Sequence, residues 1–250
     1  MADSAIHIPG LPEIQLTRRK GQRNLRLRIR DGKVMVSAPK RVTKSIIKEF
    51  VVSRKQWIHQ KLDQQEKKAD HLTRVARKYR MRMLLRGEWK PVEEYEITHK
   101  AGIQFYERDD KVEVKRGPVS SRELLNSSII GFYRHLARFE MKARIAELTQ
   151  KMPIEVYGVS IRDQQTRWGS CSSRGTISLN WRMMKLPPAI RDYILIHELC
   201  HRIHMNHSPE FWKLVRSWYP KVDEATAWIK KHESFLFADI GYGSMLDDGS

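Results

Sequence analysis

The run Ile194-Leu195-Ile196-His197-Glu198-Leu199-Cys200-His201-Arg202-Ile203-His204-Met205-Asn206-His207 has the residue types and spacing for metal chemistry. Four residues on a helix advance the chain a little over one turn, so His197 and His201 project from one face as two imidazole ligands of one ion must. Glu198 sits about 100° further round the same helix and can reach a water on the metal without binding the metal itself. His207 can supply a third ligand if the helix stops soon after Ile203 and the chain turns back. Asn206 favours turns, and Ser208-Pro209 reads as an N-cap followed by proline at the first helical position, which holds His207 just ahead of a new helix. Three histidines with an open fourth position are the arrangement of catalytic zinc, whereas a closed structural site has four protein ligands, usually rich in cysteine.

The helix that must carry these groups is apolar nearly all round, with Ile190, Tyr193, Ile194, Ile196, Leu199, Cys200 and Ile203. Such a helix is buried. Histidines on an apolar helix are more often core residues than ligands, but burying His197, Glu198 and His201 together without partners is costly, and a metal removes most of that cost. His204 reads as a solvated or substrate-contacting residue, and Cys200, on another face, as core.

Composition bounds the rest. The 250 residues suffice for one large domain or two modest ones. Charged residues make up 30% and hydrophobic ones 40%, as in ordinary globular proteins. Two cysteines, Cys171 and Cys200, argue against a disulfide framework and for a reducing compartment. With no apolar run of membrane-spanning length and no signal peptide, a cytoplasmic location is expected. The net charge of +18 predicts attraction to nucleic acid, nucleotides or anionic surfaces, weakening as salt rises.

Along the chain, residues 1–16 are expected to be a mobile lead-in. A basic β-rich domain over 17–118 follows, with Leu25-Arg26-Leu27-Arg28-Ile29-Arg30 as a strand of one buried and one arginine face, closed by an Asp31-Gly32 hairpin. The arginine row either binds phosphates or guards an exposed edge by charge. One long amphipathic helix is predicted from Thr43 to about Lys68, then a basic extension and short strands between 83 and 114. Gly117-Pro118 marks a boundary to a catalytic domain over 119–237, opened by a capping box at Ser120 and a helix to about Gln150. Trp168-Gly169-Ser170-Cys171 is expected at a sharp turn for which glycine has a backbone reason. The tail over 238–250 is expected to be flexible.

The basic hairpin and long helix, then Thr166-Arg167-Trp168-Gly169-Ser170-Cys171, Leu179-Asn180-Trp181-Arg182, the His197–His201 motif and Asn206-His207-Ser208-Pro209-Glu210-Phe211-Trp212, resemble the YgjP-like metal-dependent hydrolases, relatives of the SprT-like proteases within the zincins. The resemblance covers Arg18 to about His232. It implies an α+β fold: a zincin-like metallopeptidase domain, preceded by a small β-rich domain with one long helix. It also implies one zinc per chain on His197, His201 and His207, with Glu198 as the catalytic carboxylate. Metzincins share the histidine spacing, but His204 stands at their turn glycine and no methionine turn follows.

The expected activity is therefore zinc-dependent hydrolysis by a metallopeptidase acting near nucleic acid. Zinc brings the pKa of its water from about 15.7 toward about 7, and Glu198 takes the proton. A peptide would lie along the strand Thr176–Asn180, read as an edge. One alternative is a nucleoside triphosphate pyrophosphatase such as a UTP pyrophosphatase, with Arg162, Arg167 and Arg174 as phosphate holders. Another is a nucleic-acid-binding module whose metal is structural. The substrate is expected to be a protein, a peptide or a nucleotide, and nucleic acid is expected to bind non-specifically to the basic first half. Asp223 or Glu224 could orient a zinc histidine from the last helix.

Overall fold

Strict alternation of apolar and basic residues makes strand β3 (Arg26–Arg30), joined to β4 (Lys33–Pro39) at Asp31-Gly32 with the positive φ angles, 50° and 71°, that a tight hairpin demands. The computed structural model describes residues 4–98, 101–118 and 121–243. Two further strands, β1 (Ser4–Ile6) and β2 (Ile14–Arg19), complete a sheet of order β1-β2-β4-β3 in which β2 runs parallel to β4. Its core face carries Ile14, Leu16, Val34, Val36 and Ala38, closed by Ile47 and Val51 of helix α1 (Lys44–Val52) and Ile58 of α2 (Lys55–Lys78). Over residues 4–16 the expected mobile lead-in is thus corrected, its first three residues lying outside the described ones: Ile6, Ile8, Leu11 and Ile14 are buried, and burial of four large apolar groups outweighs the polar spacing between them.

The single long helix is corrected to two. Thr43 caps α1, accepting from the Ile46 N–H, and the helix ends where the Ser53 hydroxyl and the Arg54 guanidinium both donate to the Phe50 carbonyl. Side chains competing for a helix carbonyl break the ladder there. From Lys55 the helix resumes and takes in much of the expected basic extension.

The chain separates into two units, Met1–Arg74 and Val75–Ser250. This moves the expected boundary from residue 118 back into α2. The strands β5 (Arg82–Leu85), β6 (Glu88–Glu96), β7 (Ile103–Glu107) and β8 (Val112–Arg116) form a second sheet, order β5-β6-β8-β7. Met83, Leu85, Val112 and Val114 share one core with helix α3 (Arg122–Lys151), capped by Ser121, and with everything after it. The Tyr133 hydroxyl donates to the Leu84 carbonyl at 2.9 Å, tying α3 to β5.

A third sheet, order β10-β11-β9, is made by β9 (Gly158–Arg162), β10 (Gly169–Cys171) and β11 (Thr176–Asn180). A 3-10 turn over Trp181–Lys185 leads into α4 (Pro188–Cys200), followed by α5 (Pro209–Trp218) and α6 (Val222–Phe237). That turn is pinned by charge: buried Arg182 donates to Asp163 and Asp239, and buried Lys185 donates to Asp239. Residues 238–243 are therefore not a loose tail, because Asp239 neutralises two buried cations, Ile240 and Tyr242 are buried, and the Tyr242 N–H donates to the Arg82 carbonyl at 2.8 Å. The remainder of the expected tail lies outside the described residues. The second unit is mixed α+β. No helix among the described residues is long and apolar enough to cross a membrane.

Candidate metal centre

Helix α4 ends at Cys200, with His201 at its C-cap (φ −64°, ψ −13°), and the chain tightens through bonds from Ile203 and His204 N–H to the Cys200 carbonyl. The Ser208 hydroxyl then caps α5 by accepting from the Phe211 N–H. Between these two events the chain reverses, and His207 returns to face α4. One ring nitrogen from each of His197, His201 and His207 lies within 4.8 Å of the others. The Nε2 atoms of His197 and His207 are 3.2 Å apart. Two nitrogens on one tetrahedral zinc stand about 3.3 Å apart, given bonds of about 2.0–2.1 Å, so this spacing fits a shared ion.

The rings are oriented by two devices. His201 Nδ1 lies 3.0 Å from the His204 carbonyl, which leaves Nε2 free to ligate. His197 Nδ1 has no hydrogen-bond partner among the described residues, and its ring is held by packing instead. Phe211, fully buried, touches all three rings at centroid distances of 5.0, 4.5 and 4.9 Å, and Trp212 stacks on His207 at 5.7 Å. Burial first, then the proximity of His201 and His207, hold His197 down at about 4, so it is a neutral imidazole at physiological pH, as ligation requires.

Glu198 is 7% exposed, and burial pushes its carboxyl up to about 7 against the opposing charge of Arg167. With His197, Arg167 and Gly169 it separates two cavities. One, of about 400 Å³, is lined by Trp168, Tyr193, Ile194, Thr226 and Ile229. The other, of about 320 Å³, is bounded by β10 and reaches His201, Met205 and His207. A family model described as YgjP-like, metallopeptidase domain, matches residues 23–232, helix α4 and His207 included.

The chain belongs to the YgjP-like metallopeptidase family. No curated protein matches it. Among solved structures it is similar to the metallopeptidase zymogen of Methanocaldococcus jannaschii jannalysin, at 23% identity over 37% of this chain and 95% of that one, with a TM-score of 0.34. A second is the metallopeptidase zymogen of Pyrococcus abyssi abylysin, at 25% identity over 37% of this chain and 94% of that one, again with a TM-score of 0.34.

In this YgjP-like chain Arg167 lines both cavities, whereas Arg162, at the end of β9, and Arg174, in the turn between β10 and β11, line neither. His204 contributes its carbonyl to His201, and its side chain lines neither cavity. Asp223 pairs with Arg216, and Glu224 with Lys221, and neither lines a cavity with the three histidines. Strand β11 is paired on both sides, which corrects its reading as an edge; the edge beside the site is β10.

Gly169 is also corrected. It sits in a strand and lacks the positive φ of a turn glycine. Its reason is space: a Cβ there would come within 2.7 Å of Glu198 Oε1 and 2.8 Å of its Cγ. Asn180, fully buried, was passed over as well. Its Nδ2 donates to the Gln164 and Arg167 carbonyls at 2.7 and 3.0 Å, and its Oδ1 accepts from the Arg182 N–H. The asparagine thereby fixes the loop that carries Arg167, and a lone Asn before a tryptophan gives no hint of it.

Proposed function

We propose that this chain is a zinc-dependent peptidase in which His197, His201 and His207 hold one zinc and Glu198 is the general base. The observation that carries the reading is the convergence of three histidine ring nitrogens beside a buried carboxylate, at the open edge of a sheet. Zinc, when bound, supplies Lewis acidity toward a water and toward the carbonyl of the scissile bond. The protein residues do the rest. An extended peptide adds to the edge strand β10, whose residues line the smaller cavity, and its main chain pairs with that strand. Glu198 accepts a proton from the attacking water and returns it to the leaving nitrogen, a task suited to a carboxyl held near 7 rather than near the usual 4.3. The larger, mostly apolar cavity on the other side of Glu198 receives a substrate side chain.

The pyrophosphatase alternative has less support, because only Arg167 of its three expected phosphate holders faces the site. A purely structural metal is disfavoured by the third histidine's exposure and by the cavity in front of it. The two cysteines are free, in keeping with a reducing, cytoplasmic setting. A peptide library and a nucleoside triphosphate panel, each run with wild type and Glu198→Gln, test the reading. Peptide cleavage lost in Glu198→Gln supports it, and triphosphate hydrolysis with no peptide cleavage overturns it.

A further inference from the structure

Charge is unevenly spread along this chain. Residues 1–74 hold eighteen Lys and Arg against seven Asp and Glu, a net +11 of the total +18 in under a third of the length. The two units also differ in how they neutralise it. In the second, Arg86, Lys90, Arg108, Lys111, Arg144, Arg182, Lys185, Arg191 and Arg216 all pair with carboxylates. In the first, the sheet has one apolar face packed on α1 and α2, and its register fixes what the opposite face presents.

Arg28 lies across from Met35, which lies across from Gln15; Arg26, Ser37 and Thr17 form the next row, with Arg19 beyond Thr17 on β2, and Arg30 pairs with Lys33 at the hairpin end. All five cations are exposed. Among the described residues, no acidic or aromatic residue stands at these strand positions. Among the described residues, Arg19, Arg26, Arg28 and Lys33 have no carboxylate within ion-pair distance, and Arg30 meets only Asp31, with both side chains over four-fifths exposed. A pair so exposed contributes little. Protecting an edge strand by charge accounts for the arginines of β3. Arg19 stands on a different strand, beyond the three residues of β2 that β1 pairs, and carries the cationic face past β3 to the far end of β2.

We propose that this open face, Arg19, Arg26, Arg28, Arg30 and Lys33, is a docking surface for the phosphate backbone of a nucleic-acid duplex. A cationic face whose charges are not paired with carboxylates attracts a polyanion, and a duplex carries one charge per about 1.7 Å of axis. The absence of aromatic side chains from these strand positions removes the stacking platform that single strands use, so recognition runs through phosphate alone and is indifferent to base sequence. The surface is independent of the metal centre and of the chemistry assigned to it.

The test is binding of the full-length protein to labelled duplex DNA and duplex RNA of about 20 base pairs, across a salt series. Five phosphate contacts give a log–log salt slope of about −4.5, or about a 500-fold loss of affinity between about 50 and 200 mM salt. Removing three of them in R26E/R28E/R30E brings the slope to about −1.8 and the loss to about 12-fold. R26Q/R28Q/R30Q, which removes the three charges without reversing them, shows the same slope change. The charge-matched control K142E/K151E/K213E retains the wild-type slope. An unchanged slope in both arginine variants overturns the proposal, as does an equal loss in the control. Binding of wild type to phosphatidylserine vesicles but to neither duplex overturns it in favour of a membrane surface.

Discussion

Replacing Gly169 by alanine isolates the positioning of Glu198 from metal binding. The added Cβ would stand 2.7 Å from Glu198 Oε1, 2.8 Å from Cγ and 2.9 Å from Cδ, where ordinary contact begins at 3.4 Å. The overlap is therefore about 0.5–0.7 Å on three atoms at once. Gly169 is fixed in β10 by pairing with Leu179, whose side chain is fully buried, so the strand is the less yielding partner and the carboxylate swings away. A misplacement of about 1 Å at a reacting group costs about 100-fold, so this shift should lower kcat by about 10–100-fold, or about 1.4–2.7 kcal/mol of barrier. The three nearest atoms all belong to Glu198, so zinc content should stay at the wild-type level. The assay is steady-state peptide cleavage beside metal analysis for wild type, Gly169→Ala, Glu198→Gln and the double variant. The double variant should be no slower than Glu198→Gln alone, because the glycine acts only through the carboxylate. Unchanged kcat in Gly169→Ala would refute the reasoning. So would a loss of activity that tracks a loss of zinc.

Other residues give separable outcomes. Phe211→Leu, which retains apolar volume but removes the ring under all three histidines, should weaken zinc affinity by about tenfold in a competitive chelator titration; an unaltered affinity would remove Phe211 from the account. Asn180→Ala strands two carbonyls and an N–H in a buried site and should cost about 2–4 kcal/mol in urea unfolding, with kcat/KM falling through the loosened Arg167 loop. Burial alone would raise the Asp163 carboxyl, but the hydrogen bond and the charge of Arg182, with smaller contributions from Trp181 and Arg134, together outweigh this and hold it below the usual aspartate value. Its stabilisation is thus present above the unfolded value, about 3.9, and is lost as pH falls through the lower folded value. Unfolding midpoints should drop with acid in that window for wild type and less steeply for Asp163→Asn; parallel curves would contradict the assignment.

The convergence of His197, His201 and His207 was legible because every signal for it is local. Helical repeat pairs His197 with His201, and Ser208-Pro209 announces the capped start that returns His207. What stayed hidden depends on contacts between distant segments. Gly169 looks like a turn glycine until β10 is seen to lie against a side chain 29 positions later. Likewise, Thr176–Asn180 looks like an edge strand until β9 pairs with it in parallel from the other side. Gly117-Pro118 does interrupt the chain, yet the strands before it bury their apolar faces in the same core as the helices after it, and composition carries no record of shared burial. Residues 4–16 and 238–243 are too short and mixed to show periodicity. Their order comes from a sheet and an ion-pair cluster built elsewhere in the sequence.

Metal content by elemental analysis of purified wild type, His201→Ala and Glu198→Gln tests the central claim most directly. The account predicts about one zinc per chain in wild type and in Glu198→Gln, and little in His201→Ala, since only the histidine is a ligand. Wild-type protein that holds no zinc even after reconstitution would contradict it.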